Sequence, residues 1–423
     1  MTETMKPFKK IIPVLVVLVW TGCDTLDFPD PNSPVVESAT IQSLVTGAEA
    51  GMRVDLDIYL RDIGVVGREV YYLEPADPRY TGELLRGPLD PGGFLTLRPW
   101  NAHYRVIKSC NLLLERDDID SGVEGFAKTI LAYNLLMIIN MQDENGARIN
   151  YDGDITKPLA SKAEVFAEIK SLLDEGYSDL GNAGSTFSFE LSSGFDGFDT
   201  PSTFAQFNRA LAARVAVYDD RWQDALDALA LSFLDETGDL DNGVYHVYSS
   251  ALNDQENEMY EDPNATFVKL MGHPSFQDDA EEDDLRFSTK VTVRDTALPV
   301  ISYDNLTSNL APTMWTSGFD AVSIIRNEEL ILLRAEANIG LGNYSVAESD
   351  MNIVRAAAGL DPYTDTDATN ALDRLLYEKR YSLFLEGHRL IDMRHYGKLD
   401  ELPLDRAGDT IVEFPIPETE IPG

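Results

Sequence analysis

Two consecutive apolar stripes between residues 203 and 233 constrain the fold of this chain more than any other feature. The members of the first stripe recur at helical spacing and are Phe204, Phe207, Leu211, Val215 and Tyr218. The second stripe follows Asp219-Asp220 directly and contains Trp222, Ala225, Leu226, Leu229 and Phe233. Because the turn between them is so short, two amphipathic helices bury both stripes only by packing antiparallel as a hairpin.

The same arrangement returns between residues 324 and 358, where Gly342-Asn343 separates two apolar helical patterns. In both hairpins an aromatic residue opens the second helix and an alanine follows three positions later. These pairs are Trp222 with Ala225 and Tyr344 with Ala347. Such a pair is part of the tetratricopeptide pattern, in which the small residue lets the next helix dock. We predict that the two aromatic side chains anchor the hairpins in the core.

Long stretches without helical periodicity separate the hairpins, so the chain is not a plain tandem solenoid. Helical spacing recurs in the first third, over residues 38–60, 98–116 and 126–141. Residues 71–93 combine prolines and glycines with aromatic residues, which predicts a structured loop. The predicted fold is therefore mostly α, a tetratricopeptide-like helical superstructure with long irregular loop insertions.

The N-terminus carries the pattern of a secretory signal. Lys6, Lys9 and Lys10 precede an apolar run, residues 11–20, that ends at Thr21-Gly22-Cys23. The run is too short for a permanent membrane helix. The small residue before Cys23 resembles a bacterial lipobox, in which the cysteine becomes acylated and holds the protein on a membrane. We predict a lipoprotein signal peptide over residues 1–22, a lipid on Cys23, a tether over 23–35 and a single α-helical body over 36–423.

Charge narrows the classes of partner. The chain has 34 basic and 72 acidic residues and a formal net charge of -38, which repels phosphate backbones and excludes nucleic acid as an expected partner. A strongly hydrated surface is the simplest interpretation, although a neutral or cationic ligand also suits this charge. With Cys23 modified, Cys110 has no disulfide partner, and its helical surroundings indicate a buried inert thiol.

No constellation of residues indicates catalysis. Glu378 and Glu386 lie eight positions apart in a predicted helix, about 12 Å along its axis, which exceeds the roughly 5 to 9.5 Å between glycosidase carboxyl groups. We expect Glu386 to pair with Arg389, and Arg389 with Asp392, at helical spacing. The chain is therefore not predicted to be an enzyme.

Metal sites are equally unsupported, and neither a metal nor a cofactor is expected. His388 and His395 are seven residues apart, roughly 10 Å along a helix and too far to share a zinc ion. The loop that begins at Asp365 lacks the glycine and glutamate of a calcium loop. We interpret the acidic run 278–284 as a solvated loop rather than a calcium site.

Several motifs together resemble the SusD/RagB family. They are Tyr104-Arg-Val-Ile-Lys-Ser-Cys-Asn111, Ala210-Leu-Ala-Ala-Arg214, Arg326-Asn-Glu-Glu329 with Arg334-Ala-Glu336, Val354-Arg355, Glu386-Gly387-His-Arg389, Ile391-Asp392-Met-Arg394 and Phe414-Pro-Ile-Pro417. The resemblance implies an outer-membrane lipoprotein that faces the cell exterior. It further implies that the protein hands oligosaccharides or peptides to a TonB-dependent (SusC-like) transporter.

Candidate ligand-binding residues lie in the predicted loops, where aromatic platforms stand beside hydrogen-bonding side chains. They are Tyr72, Asp77, Arg79 and Tyr80 in one insertion, Phe195 and Phe198 in a second, and Trp315 in a third. A place in the core is the alternative for each aromatic residue. Two other functions stay open at this point, a lipid-anchored helical scaffold that binds proteins and a secreted glycan hydrolase.

Overall fold

The computed structural model describes residues 1–2 and 39–421. The chain divides into two compact units, residues 1–40 and 41–423, and the elements below belong to the second unit. Cys23 and the tether predicted over 23–35 lie outside the described residues, as does the predicted signal peptide beyond Met1 and Thr2.

Helices make up most of the regular structure in the described part of the chain. In chain order they are α1 (Ile41–Gly51), α2 (Leu56–Val66), α3 (Arg79–Arg86), α4 (Phe94–Leu114), α5 (Ser121–Gln142), α6 (Lys162–Asn182), α7 (Pro201–Tyr218), α8 (Trp222–Leu229), α9 (Ser275–Asp278), α10 (Leu285–Lys290), α11 (Asn327–Gly340), α12 (Tyr344–Ala357), α13 (Ala371–Ser382) and α14 (Arg389–His395). The predicted mostly α fold is confirmed.

Short strands lie mainly in the irregular stretch between α8 and α11. The strands are β1 (Val70–Tyr72), β2 (Gly243–His246), β3 (Leu270–Gly272), β4 (Val291–Val293), β5 (Ile301–Tyr303), β6 (Leu306–Ser308), β7 (Leu310–Pro312) and β8 (Val322–Arg326). They form a four-stranded sheet in the order β1-β3-β7-β4 and two pairs, β2 with β8 and β5 with β6. Tyr72 in β1 lies opposite Leu270 in β3, so the sheet joins an early insertion to a much later part of the chain.

Both predicted helical hairpins are confirmed. Helix α7 begins where the Thr200 side chain accepts a hydrogen bond from the backbone N–H of Thr203, and it packs against α8. Helices α11 and α12 pack in the same way after a turn at Gly342, whose φ is 77°. The left-handed backbone there suits glycine, which has no Cβ to clash.

The alanines rather than the aromatic rings fill the hairpin cores. Ala225 and Ala347 are fully buried, whereas Trp222 and Tyr344 are only partly buried. The Trp222 ring covers Gly340 so closely that a Cβ on this glycine would lie 2.4 Å from ring atoms. The prediction that both aromatic residues are core anchors is therefore wrong in its detail, because both side chains are only partly buried.

The central element of the core is α5, which packs between α4 and α6. The stretch Ser121–Asn145 is long and apolar enough to cross a membrane by length and composition alone. However, 89% of its most apolar window is buried inside the protein. This helix therefore supplies core surface for its neighbours.

Two local predictions are wrong and one is refined. The helical spacing predicted over 38–60 belongs to two helices, because the chain turns between α1 and α2 and Asp55 adopts a φ of 56°. The predicted loop 71–93 contains the end of β1 and all of α3. The predicted C-terminal helix breaks between α13 and α14, where Leu385 and Gly387 have φ values of 59° and 86°. Glu386 consequently lies in a turn, not on a helix.

Candidate functional site

The insertion that contains β1 and α3 brings four of the predicted ligand-binding residues together. The Tyr72 and Tyr80 ring centroids are 4.4 Å apart. The guanidinium of Arg61 lies 4.2 Å from the Tyr72 ring and 5.1 Å from the Tyr80 ring, as in cation–π contacts. Because β1 pairs with β3, the Lys269 ammonium also lies 5.5 Å from the Tyr72 ring. The sequence-predicted pair thus belongs to one compact aromatic and cationic cluster.

Neither tyrosine ring is an open platform, since Tyr72 and Tyr80 are only 7% and 6% exposed. Burial raises the pKa of the Tyr80 hydroxyl, which keeps this group protonated and able to donate a hydrogen bond. The two buried rings pack beneath the more exposed side chains of the surrounding loop.

Charged side chains lie on the solvent side of the two tyrosine rings. Arg79 donates hydrogen bonds from Nε and Nη2 to the two carboxylate oxygens of Asp77, at 2.8 and 2.7 Å, and these bonds lower the pKa of Asp77. The Arg79 guanidinium also lies 4.3 Å from the Phe94 ring, which in turn contacts Tyr80. Lys269 Nζ is 3.8 Å from Glu74. Both cations are therefore positioned by specific partners.

We assign Phe267, which the sequence reasoning missed, to the same surface because it precedes Lys269 at the start of β3. It is 45% exposed and lies two residues before Lys269. A phenylalanine beside Pro263 and Asn264 indicates an aromatic side chain on a turn, and that signal was present in the sequence. Phe267 comes near the β1 insertion only because β1 pairs with β3, and no local sequence pattern predicts this pairing. We define the α3 surface as Glu74, Asp77, Arg79, Phe267 and Lys269.

A second loop is fixed beside α3. Arg86 in α3 and Arg406 near the C-terminus both bind Asp304, at 3.3 and 2.5 Å, in the turn between β5 and β6. Ser302 and Thr307 on this hairpin are exposed, and their hydroxyls are hydrogen bonded to each other at 3.0 Å. The α3 surface thus has neutral hydrogen-bonding groups on a neighbouring rigid loop.

The other predicted aromatic residues lie in the core, the alternative stated for them above. Phe195 and Phe198 are 1% and 3% exposed, and their rings contact Phe204 and Phe233 respectively. Trp315 is 5% exposed and donates its indole N–H to the backbone oxygen of Ala321 at 3.2 Å. None of the three has a ring contact with the Tyr72–Tyr80 cluster among the described residues, so the structure does not join them to it.

Phe319 is the exposed aromatic ring in the Trp315 loop, with 43% of its surface accessible. Asp320 accepts hydrogen bonds from the backbone N–H groups of Thr316 and Ser317, which fixes the turn that carries this ring. This position is a second place where a ligand could stack, separate in sequence from the α3 surface.

The two glutamates considered for catalysis are held in buried ion pairs. Glu378 accepts from Arg286 and Arg355 at 2.6 and 2.8 Å. Glu386 binds Arg326 and Lys290 at 2.9 and 3.4 Å. Burial by itself would raise the pKa of Glu386, but the two cations outweigh it and lower the pKa to about 2. An ionised, fully paired carboxylate is a poor proton donor for glycosidic cleavage.

The expected pairing of Glu386 with Arg389 and of Arg389 with Asp392 is wrong. Because the chain turns at Leu385 and Gly387, Glu386 points to the partners described above, and Asp392 binds Lys379 at 2.5 Å. Both carboxylates therefore pair with residues far from them in sequence.

The acidic run 278–284 is not simply solvated. Asp279, Glu281 and Asp284 bind Arg380, Arg355 and Arg286, at 2.7 to 2.8 Å. Within residues 1–2 and 39–421, no group of three histidine, cysteine or acidic side chains is arranged to hold a metal ion. Cys110 is fully buried, which raises the pKa of its thiol.

Two larger grooves of the described structure lie away from the α3 surface. One of about 470 Å³ lies between α10 and the α12 C-terminus and is lined by Arg286, Lys290 and Arg326. Another of about 540 Å³ is lined by residues next to the α5 N-terminus, among them Ser121 and Phe187. Neither groove is lined by a residue of the α3 surface, whose side chains are partly or fully exposed.

Comparison with known proteins identifies relatives of this fold. Residues 302–408 match the model of the SusD family. A SusD superfamily protein from Bacteroides vulgatus superposes with a TM-score of 0.68 at 17% identity, over 90% of this chain and 96% of that protein. Surface glycan-binding protein A from Bacteroides thetaiotaomicron gives 0.68 at 13% identity over the same shares.

A laminarin-binding SusD-like protein superposes with a TM-score of 0.60 at 18% identity, over 90% of this chain and 96% of that one. No curated protein sequence matches the chain. At these identities the superpositions establish the shared fold, and the family match rests on residues 302–408.

Proposed function

We propose that this chain, which matches the SusD family model over residues 302–408 and shares the fold of SusD superfamily proteins, binds an oligosaccharide at the α3 surface, without turnover, for delivery to a TonB-dependent outer-membrane transporter. The observation that carries the proposal is the exposed Phe267 ring two residues before Lys269, whose ammonium lies by Glu74 and the Tyr72 ring. Flat apolar faces of sugars stack on such rings while their hydroxyls bind neighbouring polar side chains.

The chemistry of the surface supports a carbohydrate ligand. Asp77 and Glu74 retain oxygen lone pairs that accept from sugar hydroxyls, and Lys269 retains donors beyond its contact with Glu74. Two proteins with this fold bind glycans, one of them laminarin. The shared architecture extends this ligand class to the present chain as a proposal.

The lipobox-like N-terminus supports attachment to a membrane through a lipid on Cys23, without a spanning helix. The family resemblance implies that this membrane is the outer membrane and that the body faces the cell exterior. Ligand captured there passes to the transporter partner without diffusing away, since tethering raises its effective concentration.

Calorimetry of the full mature chain against neutral polysaccharides and peptides tests the proposed function. We expect saturable binding of at least one glycan, and intact glycan recovered by chromatography after a long incubation. Released shorter products would contradict a purely binding role. Binding of peptides with no glycan bound would contradict the carbohydrate assignment.

A further inference from the structure

The cations of the α3 surface are already neutralised by carboxylates. Arg79 uses Nε and Nη2 in a two-bond contact with Asp77, which occupies one edge of its guanidinium. Lys269 stands 3.8 Å from Glu74. Each of these pairs therefore presents no net positive charge to a ligand.

The cations just below and beside the surface are paired in the same way. Arg61 donates to Asp57 at 2.8 Å. Arg98 binds Asp55, and this arginine lies on the same helix as Phe94. An anionic ligand at the α3 surface would therefore find each nearby cation with a carboxylate beside it.

The charge of the rest of the molecule also disfavours an anionic ligand. The formal net charge is -38. Among the described lysines and arginines, Arg105 and Lys108 are the exposed ones that form no salt bridge. They lie on α4, roughly 16 and 21 Å along the helix from Phe94 at a rise of about 1.5 Å per residue. Because Coulomb attraction falls with distance, these two cations offset the charge of an anion at the surface less than the adjacent Glu74 and Asp77 repel it.

We propose, on the basis of the function proposed above, that the glycan recognised by the α3 surface is uncharged and that glycans bearing carboxylate or sulfate groups are rejected. An anionic group there either displaces Asp77 or Glu74 from its cation or binds the remaining donors of Arg79 and Lys269 beside those carboxylates, within a negative field. Sugar hydroxyls, which are neutral, form hydrogen bonds with the free donors and acceptors of the ion-paired side chains and leave the ion pairs intact. The discrimination is therefore electrostatic and sensitive to salt.

Matched glycan pairs test this selectivity. The probes are neutral α-glucan, β-1,3-glucan and β-mannan oligosaccharides, each paired with a derivative whose primary hydroxyls are oxidised to carboxylates. We expect the oxidised member of a bound pair to bind at least about tenfold more weakly at 10 mM salt. At 1 M salt the difference should shrink, because the Debye length falls from about 30 to 3 Å.

A double variant assigns the selectivity to the surface. Glu74→Gln with Asp77→Asn keeps the amide oxygens that accept from the local backbone but frees Lys269 and Arg79. Its preference for the neutral probe should shrink severalfold or reverse. Asp196→Asn with Asp199→Asn adds the same charge in another exposed loop and should leave the preference unchanged.

The possible results of these binding experiments separately test the selectivity, its assignment to the α3 surface and glycan binding itself. Equal or tighter binding of the oxidised probe by the native protein would overturn the selectivity while leaving glycan binding in place. An equal loss of preference in the control variant would overturn its assignment to the α3 surface. Failure of every neutral and oxidised probe to bind would overturn the proposed function itself.

Discussion

Single buried charges in this protein depend on partners that are distant in sequence. Arg214 in α7 donates to Glu329 in α11 at 2.6 Å, and the Arg326–Glu386 pair connects the start of α11 to the turn after α13. Removal of one partner from such a pair costs about 3 to 5 kcal/mol, because the other charge stays buried. These residues hold helices together, which explains why the family motifs of the C-terminal half are rich in charge.

Glu69 is a buried carboxylate with a single hydrogen-bond partner. It is 2% exposed and accepts one hydrogen bond, from the backbone N–H of Leu385 at 3.1 Å, while its second oxygen has no partner. Burial raises its pKa to about 7. Glu69 therefore stays protonated in the fold over a pH range in which it ionises in the unfolded chain.

We predict that Glu69→Gln removes a pH-dependent loss of stability. A carboxyl with a raised folded pKa contributes fully below its unfolded pKa of about 4.5, and that contribution disappears as the pH rises through about 7. The native free energy of unfolding should fall by on the order of 3 kcal/mol across this window relative to the variant. Urea unfolding from pH 4.5 to 8 measures it.

Glu190→Gln is the control for this experiment, because Glu190 is exposed and its replacement should leave the pH dependence unchanged. Parallel stability curves for the native chain and Glu69→Gln across the window would show that Glu69 is not protonated in the fold.

At the scale of secondary-structure elements, sequence periodicity predicts the elements that form through contacts between neighbouring residues. The hairpins α7–α8 and α11–α12 follow from helical spacing and short turns, and the sequence locates them correctly. The turn between α13 and α14 was not predictable, because Leu385 takes a left-handed backbone that periodicity does not signal. The β1–β3 pairing was equally hidden, since strands of three residues carry too little pattern to reveal a distant partner.

The contact between Gly340 and Trp222 gives a test of hairpin packing. Gly340→Ala places a methyl group 2.4 Å from the indole ring, so α8 and α11 must separate or the ring must move. We expect a loss of about 1 to 3 kcal/mol in the free energy of unfolding, from overpacking. Denaturant titration measures it.

Gly181→Ala is the matched control, because this glycine also lies in a helix and a Cβ there meets no atom within 4 Å. It should be neutral or stabilise by up to about 1 kcal/mol. Equal stability of the Gly340 and Gly181 variants would contradict the packing of Trp222 on α11.

At the scale of the whole molecule, a rigid helical body carries the α3 surface, which two distant segments of the chain build. The sequence proposed Asp77 and Arg79 as binding candidates because they share one insertion, and it did not propose Phe267, which comes near that insertion through the β1–β3 pairing. It chose Phe195 and Phe198 because they lie near glycines and serines, whereas their rings complete the core around Phe204 and Phe233. Aromatic composition alone does not distinguish a platform from a core residue.

The proposed membrane attachment would depend on one atom, the Cys23 sulfur. We predict that Cys23→Ser abolishes lipid attachment and releases the protein into the soluble fraction, because the apolar run before it is too short to anchor the chain. Fractionation in high salt and intact mass measure both effects. Continued membrane association without a change in mass would rule out the lipid anchor.

The affinity of Phe267→Ala for the glycan that the native protein binds tests the central claim most directly. Loss of an exposed stacking ring should weaken binding about 10- to 100-fold while the melting temperature stays unchanged. Phe319→Ala removes an equally exposed ring from the Trp315 loop and should leave the affinity within about twofold of native. Native affinity in Phe267→Ala together with lost binding in Phe319→Ala would contradict the account and place the ligand at the Trp315 loop.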